Sequence, residues 1–549
     1  MTWWFMNSRV SPAEWRWVAA GALVVMLLSS LPVISGNLAQ TEEVRFSGAV
    51  YDRQDYAVHL ATMHLGASGN WGYQLEFTNE QHPARFLKLA YLLLGKVASG
   101  LGLRFSLAYE IARILAGLGL IFGLYALAAS LTEDVRLRAM AVSLAVFASG
   151  MGWLQLMLNW LPRVDISPID FWLIDAFAFF GMMTLPHFSL AILLTLVMLM
   201  AGEAFLSERE IRAPIVVGVC GLLIVAIEPT MVVIADLAVL GLVIGFWRKA
   251  QRPTLGSLGR LLLAGLTQAP LLAYNYWALS SHPVWEVFTA QFIHQSPPAI
   301  YYLAGFALLL PFALWGAWLS WREKNPVGIM FAFWALCASA LVYAPVAFQR
   351  RFAMGLSIPL GMLAAYGFWF GFVAWLRGRR KTGKAPLWRF AYQRRWALAG
   401  IWMLFSSLSS LYLVFGGAML ASLRPAALFD PREVIEGVDW LGDHAGAQDS
   451  VFSAERTGLV IPARTGLRVF LGHPIETVDY DQKMQIVGDF YSATGMSDED
   501  RALILSRSGC RWLFVGPYER VIGGSELQEI PGIEIAYQNP SVKVYRVAR

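Results

Sequence analysis

Charge is what this sequence has least of. Only 15% of its 549 residues are Asp, Glu, Lys or Arg, against roughly 25% in a soluble globular chain. That shortage excludes a cytosolic enzyme and a disordered polyelectrolyte alike. Cysteine is nearly missing too. Cys220 and Cys337 sit inside apolar runs, Cys510 stands alone near the end, and no CxxC spacing offers a zinc site or a disulfide framework. The chain has no glycine-rich dinucleotide loop and no His/Cys/Asp/Glu spacing diagnostic of a metal, so neither a cofactor nor a divalent metal is expected. What remains is apolar: 57% hydrophobic residues with 22 Trp and a mean hydropathy of +0.51. These residues cluster in runs approaching the about 20 needed to cross a bilayer, which makes the chain an α-helical polytopic membrane protein. The net charge of +5 does not point to nucleic acid, because the basic residues bunch beside apolar spans as in cytoplasmic loops.

About eleven transmembrane helices are predicted, near 17–35, 107–130, 139–158, 187–206, 213–227, 229–247, 257–279, 299–320, 326–345, 353–376 and 396–421. Only Glu228-Pro229 divides the fifth from the sixth, and one long kinked helix is the alternative there. The loop Arg377–Arg395 is dense in Arg and Lys and is placed in the cytoplasm. Counting back puts Arg136/Arg138, Arg248/Lys249/Arg252, Arg322/Lys324 and the N-terminus on the same side. The expected domains are 1–421, a transmembrane domain with a long first extracytoplasmic loop at 36–106, and 422–549, a soluble extracytoplasmic α/β domain. In the latter, Ser450–Ala454, Arg468–Leu471, Trp512–Val515 and Val542–Val547 read as strands. Ile435–Leu441, Lys483–Tyr491 and Glu499–Ser506 read as helices, the last opened by Ser497 with Asp500 as a capping pair. Such a chain is expected in the cell's inner membrane, with its N-terminus cytoplasmic.

The first outward loop carries the chemistry. It reads Asp52-Arg53-Gln54-Asp55-Tyr56-Ala57, then His59, then Thr78-Asn79-Glu80-Gln81-His82-Pro83, and a helix interrupted by Lys88, Lys96 and glycines follows at 85–102. Long loops in compact proteins are often functional, and that helix is expected to lie at the interface rather than to span. In this region the sequence resembles the GT-C membrane glycosyltransferases, particularly the protein O-mannosyltransferase and aminoarabinose-transferase branch. That branch carries a D-E-x-x-Y-A motif in its first outward loop, a (K/H)-P-P-like element, and G-L-S-x-x-x-x-R leading into the next span. This chain offers Asp52–Ala57, His82-Pro83-Ala84, and Gly102-Leu103-Arg104-Phe105-Ser106 before Arg113. The match by motif covers residues 15–150 and departs at Arg53, where the family has Glu, and at Ala84, where it has a second Pro.

The resemblance implies a GT-C-like fold and a glycosyltransferase using a polyprenyl-phosphate-linked sugar. It makes Asp52 the base that takes the proton of the acceptor hydroxyl, with Asp55 as the competitor. A carboxylate within hydrogen-bond reach of the attacking O–H is also what the chemistry needs. Tyr56, His59, Glu80 and His82 become candidate substrate contacts. Arg350 and Arg351, between the ninth and tenth spans, lie outside in this topology and break the positive-inside pattern. A lipid-linked donor explains them, because arginine forks bind phosphate bidentately, and headgroup anchoring is the plainer alternative. Adjacent residues on a helix diverge, so one of the two is expected to reach the donor. His187, at the outer start of the fourth span, is a candidate for touching sugar or, equally, for helix-entry packing. Asp165, Asp170 and Asp175 are candidates for an acceptor entrance or for a solvated loop, while Glu228 and Asp236 are expected to face the bundle interior.

The function expected is therefore transfer of a hexosyl or pentosyl group, with inversion, to an acceptor hydroxyl at the extracytoplasmic face. Its partners are the donor lipid, a saccharide, lipid or protein acceptor, and the bilayer. The alternative is a transporter or flippase of lipid-linked saccharides, which would be built from paired repeats with interrupted helices. A non-catalytic assembly factor is a third reading, in which Asp52 is dispensable.

Overall fold

Helices dominate wherever the sequence is apolar, because only a helix or a closed barrel satisfies every backbone N–H and C=O in lipid. The computed structural model describes residues 9–158, 167–208, 210–249, 251–381, 386–492, 496–523 and 530–548. Asp165 and Lys384 lie outside the described residues. Among those described, seven helices are long and apolar enough to cross a membrane: Pro12–Leu38, Phe105–Leu131, Pro186–Leu206, Pro229–Arg248, Leu255–Ser280, Gln349–Arg379 and Arg395–Ser422. Two further pairs are apolar enough only when taken together and are bent at a break, as a broken span or a re-entrant loop is: Val135–Phe147 with Gly152–Leu158 at 46° and Ala299–Gly305 with Leu310–Arg322 at 86°. The protein is an integral membrane protein. Two of the spans predicted as straight helices, 139–158 and 299–320, are these broken ones.

The chain divides into two units. The first comprises residues 1–31, 111–272 and 294–417. Its 46° break is held by Asp170, whose buried carboxylate accepts the backbone N–H of Gly150 at 2.8 Å and of Gly152 at 3.0 Å. Two backbone donors freed by the break thereby find a partner away from water. Glu228 adopts φ −148°, ψ 87°, which ends Ala213–Ile227 and lets Pro229–Arg248 start afresh. The run is thus two helices and not one. Asp236 accepts from Gln268 at 3.2 Å. Helices Leu310–Arg322 and Ser357–Tyr366 meet backbone to backbone. A Cβ on Gly316 would lie 2.0 Å from the Leu363 carbonyl oxygen, and one on Gly367 would lie 1.9 Å from that of Phe312. Small residues let helices approach this closely in membranes. The buried guanidinium of Arg113 donates to Ser29 Oγ at 3.0 Å, Ser30 Oγ at 2.8 Å and the Met182 carbonyl at 2.8 Å.

The second unit comprises residues 32–110, 273–293 and 418–549. A short antiparallel ladder joins β1 (Val44–Phe46) to β2 (Phe429–Pro431). A five-stranded sheet follows, made of β3 (Ser450–Phe452), β4 (Arg468–Val469), β5 (Trp512–Val515), β6 (Ile533–Gln538) and β7 (Lys543–Val547), in the order β4-β3-β5-β7-β6. The first three are parallel and the last two antiparallel. At the ends of β3 and β5, the buried Glu519 carboxylate accepts from Gly516 N at 2.9 Å, Ala454 N at 3.0 Å and Thr457 Oγ1 at 2.6 Å. It caps the helix Glu455–Thr465 from the crevice where open α/β sheets usually hold a ligand. Ser497 accepts the Asp500 N–H at 3.1 Å, the capping pair read from sequence. The helix Arg53–Ala67, read from sequence as loop, packs Ala57, Val58 and Ala61 into one core with Leu459, Val460 and Val438. On its other side it meets helix Leu89–Gly100, where a Cβ on Gly95 would stand 2.0 Å from the Met63 carbonyl oxygen.

Candidate functional site

Asp52 occupies the N-cap of helix Arg53–Ala67 in a left-handed conformation, φ 53°, ψ 49°, and its side chain makes no capping bond. A non-glycine residue in that region carries backbone strain, and such strain concentrates at functional sites. Arg53, the departure from the family motif, donates to Asp430 at 2.6 Å and to the Ala427 carbonyl at 2.8 Å. It ties the start of this helix to β2. The Asp55 carboxylate lies 3.4 Å from His473 Nε2. Tyr56 is buried edge-on against Tyr109, with centroids 4.9 Å apart, and burial together with Glu110 pushes its hydroxyl pKa upward. His59 stacks on Tyr91 at 3.9 Å.

Glu80 and His82 hold the shape of the loop. His82 Nδ1–H donates to the Glu80 carbonyl at 2.8 Å, while Nε2 accepts the Leu75 N–H at 2.9 Å. This arrangement sets a neutral tautomer, and burial lowers the pKa in the same direction. Glu80 pairs with buried Lys483 at 2.7 Å. Lys483 also donates to Thr78 Oγ1 and Asn79 Oδ1, and burial pulls its pKa down.

The second constellation belongs to the first unit. Arg350 and Arg351 sit in the 3-10 turn Gln349–Ala353. Both reach Asp175: Arg351 Nη1 lies 3.1 Å from Oδ1 and Arg350 Nε lies 3.5 Å from Oδ2. Arg350 lies over the Trp172 ring and Arg351 over Phe188. His294 Nε2 is 3.5 Å from Arg351 Nη2. Among the described residues, no hydrogen bond engages the two terminal nitrogens of Arg350, so its fork is open. His187 Nε2 lies 3.8 Å from Glu228. Among the described residues there is no group of three or more His, Cys, Asp or Glu able to hold a metal.

This arrangement of helices is found in solved proteins. The oligosaccharyltransferase AglB from Archaeoglobus fulgidus, in complex with an inhibitory peptide and a dolichol-phosphate, superposes with a TM-score of 0.52 at 13% identity, over 94% of this chain and 72% of that one. ArnT from Cupriavidus metallidurans, bound to undecaprenyl phosphate, gives 0.52 at 12% identity over 97% and 98%. The arabinofuranosyltransferase AftD from Mycobacteria gives 0.56 at 15% identity over 97% of this chain and 40% of that one. All three are GT-C glycosyltransferases. The chain has the GT-C fold. No family model and no curated protein matches its sequence. The resemblance read from the short motifs at Asp52–Ala57, His82–Ala84 and Gly102–Arg113 therefore meets its counterpart in the fold.

Sequence reasoning missed a second carboxylate centre beside the loop of this GT-C chain. Tyr73 donates to Glu476 Oε2 at 2.5 Å, and Lys88 pairs with the same carboxylate. Glu76 is buried nearby, and burial pushes its carboxyl up to about 8 against the opposing pull of Arg468. Lys88 drew notice only as an interruption of a helix, and its left-handed φ of 49° marks where that helix begins. Glu76 and Glu476 gave no signal, because isolated acids in polar stretches look solvated until the fold buries them. Gln291 donates to the carbonyls of Pro474, Ile475 and Thr477 and so joins residues 273–293 to the tail.

Proposed function

We propose that this protein is an extracytoplasmic glycosyltransferase that moves a hexosyl or pentosyl group from a polyprenyl-phosphate donor to an acceptor hydroxyl. The observation that carries the reading is the arginine pair: two guanidinium groups are oriented by one carboxylate, and the Arg350 fork is left open. A lipid phosphate, with several oxygens to accept from one guanidinium, is the multidentate anion such a planar fork suits. The acceptor oxygen attacks the anomeric carbon as its proton passes to Asp52. The bond from that carbon to the phosphate oxygen breaks on the opposite face, giving inversion, and the departing polyprenyl phosphate is stabilised by Arg350 and Arg351. Asp55, held by His473, is the alternative base. Tyr56 and His59, on helix Arg53–Ala67, and His187, in the first unit, remain candidate substrate contacts, while Glu80 and His82 keep the loop in form. No step calls for a metal or cofactor.

The topology that supports this face has eleven spans, with the N-terminus in the cytoplasm. That count takes the seven long helices and the two bent pairs among the described residues as spans, and we count the shorter apolar helices Ala213–Ile227 and Pro326–Leu341 with them. Helix Leu89–Gly100 buries Tyr91 and Leu92 and exposes Leu93, Val97 and Leu101, as a helix lying in the interface does. In this reading 1–421 is the transmembrane domain and 422–549 the outer α/β domain.

Interrupted helices also serve transporters, and the two bent pairs give that rival a foothold. Purified protein supplied with radiolabelled polyprenyl-phosphate sugar and acceptor separates the two. Turnover in detergent, abolished by Asp52→Asn, is the expected result. Full transfer by Asp52→Asn overturns the base assignment. Translocation in proteoliposomes without any transfer overturns the enzyme.

A further inference from the structure

The second unit holds a cavity of about 960 Å³ where the last turns of helix Pro12–Leu38 meet the first turns of helix Phe105–Leu131. That volume is at the upper end for a small-molecule site, about 300–1,000 Å³. Both helices are apolar enough to cross a membrane, so the cavity sits at the boundary between hydrocarbon and headgroups. Its walls are mixed. Val33, Leu60, Leu107 and Leu459 supply an apolar side, and four arginines supply a basic one.

Two of those arginines are committed to the protein. Arg53 is held by Asp430, and Arg464 makes a bidentate pair with Asp439 at 2.9 Å for each bond. The wall holds two acids, Asp430 and Glu110, and Asp430 is further taken by Arg456 at 3.2 Å and by the Tyr518 hydroxyl at 2.8 Å. Arg45 and Arg104 are different. Both are exposed, and among the described residues no ion pair or side-chain hydrogen bond engages either guanidinium. In the orientation proposed above they stand at the outer ends of spans, where Lys and Arg are disfavoured unless something retains them. Leu107 in the same wall is 49% exposed, so the apolar side continues onto the outer surface of the protein.

We propose that this cavity binds the phosphate head of an anionic lipid. Arg45 and Arg104 donate to its phosphate oxygens while the chains run down over Val33 and Leu107. Asp52, Arg350 and Arg351 take no part in the lining, and the site requires only the membrane position of the two helices, whether or not the protein transfers sugar. The same chemistry has two sources, a bilayer phospholipid or a polyprenyl phosphate.

The test is native mass spectrometry of the full-length protein released from nanodiscs of phosphatidylglycerol or of phosphatidylcholine. Wild type is expected to retain phosphatidylglycerol over phosphatidylcholine by roughly tenfold, given two arginines at a lipid surface. Arg45→Ala with Arg104→Ala should abolish that preference, and Arg45→Lys with Arg104→Lys should keep part of it. Should the alanine pair fail to elute as a monodisperse peak, the single Gln variants carry the same expectation at reduced size. Added undecaprenyl phosphate that displaces phosphatidylglycerol from wild type supports the site as one for the carrier phosphate. Failure to displace supports it as one for phospholipid. Equal retention of the two phospholipids by wild type, or an undiminished preference in folded variants, overturns the proposal.

Discussion

At the scale of single residues, the informative groups are charged ones placed where charge is expensive. Asp52 is strained and Arg350 keeps an open fork, and each permits a sharp substitution. Losing a general base costs typically about 10²–10⁴ in rate, so Asp52→Asn should lower kcat by that order with KM for the donor nearly unchanged. Arg350→Ala should instead raise donor KM, read by steady-state transfer with labelled donor. Glu76 permits a test by pH. Its carboxyl titrates at about 8 when folded, against 4.5 for an ordinary glutamate. Between those values the folded state holds the extra proton, so this group's contribution to stability declines as pH rises through that window. Glu76→Gln, uncharged throughout, should change little near pH 4.5 and raise stability at pH 8 by on the order of 3 kcal/mol. Thermal unfolding at pH 5 and pH 8 reads the difference, and an equal shift at both values would assign it to packing. Asp52 was legible because its neighbours form a motif. Glu76 was not, since nothing local distinguishes it from a solvated acid.

At the scale of elements, the long apolar helices and the amphipathic helices of the tail were legible, and the enclosed helix of the first loop was not. Helix Arg53–Ala67 is buried at Tyr56–Met63, Leu65 and Gly66, covered by Leu89–Gly100 on one side and Glu455–Thr465 on another. A helix enclosed all round needs no polar face, so it shows no 3.6-residue alternation to find. Its contact with Leu89–Gly100 depends on Gly95, whose missing Cβ lets the Met63 carbonyl approach. Gly95→Val should cost roughly 1–3 kcal/mol through overpacking and should lower transfer by displacing the helix that carries Asp52. Gly100→Ala in the same helix meets nothing within 4 Å and should be neutral. Melting temperatures of the two variants make the comparison, and similar losses in both would overturn the close-packing assignment, because either replacement of glycine raises helix propensity.

At the scale of the whole molecule, the proposed topology is tested by labelling. Ala447→Cys in the tail and Arg377→Cys after the tenth span are both exposed positions. A membrane-impermeant maleimide should label the first in intact cells and the second only after lysis. The reverse pattern would move Asp52 and Arg350 to the cytoplasm and remove the case for a donor delivered from outside. The membrane class, the positions of most spans, four strands and three helices of the tail, and the acidic motif were all determined by sequence alone. Each is a local property: an apolar run must satisfy its own backbone in lipid, and a strand or capping box is written within a few residues. Tertiary structure alone decided that both arginines meet Asp175, that Arg53 serves β2, and that Glu76 and Glu476 are buried. It also decided that residues 32–110, 273–293 and 418–549 share one unit. Those outcomes depend on contacts between residues tens to hundreds of positions apart. Burial and ion pairing are set by what arrives from elsewhere in the chain, and no local pattern encodes that arrival.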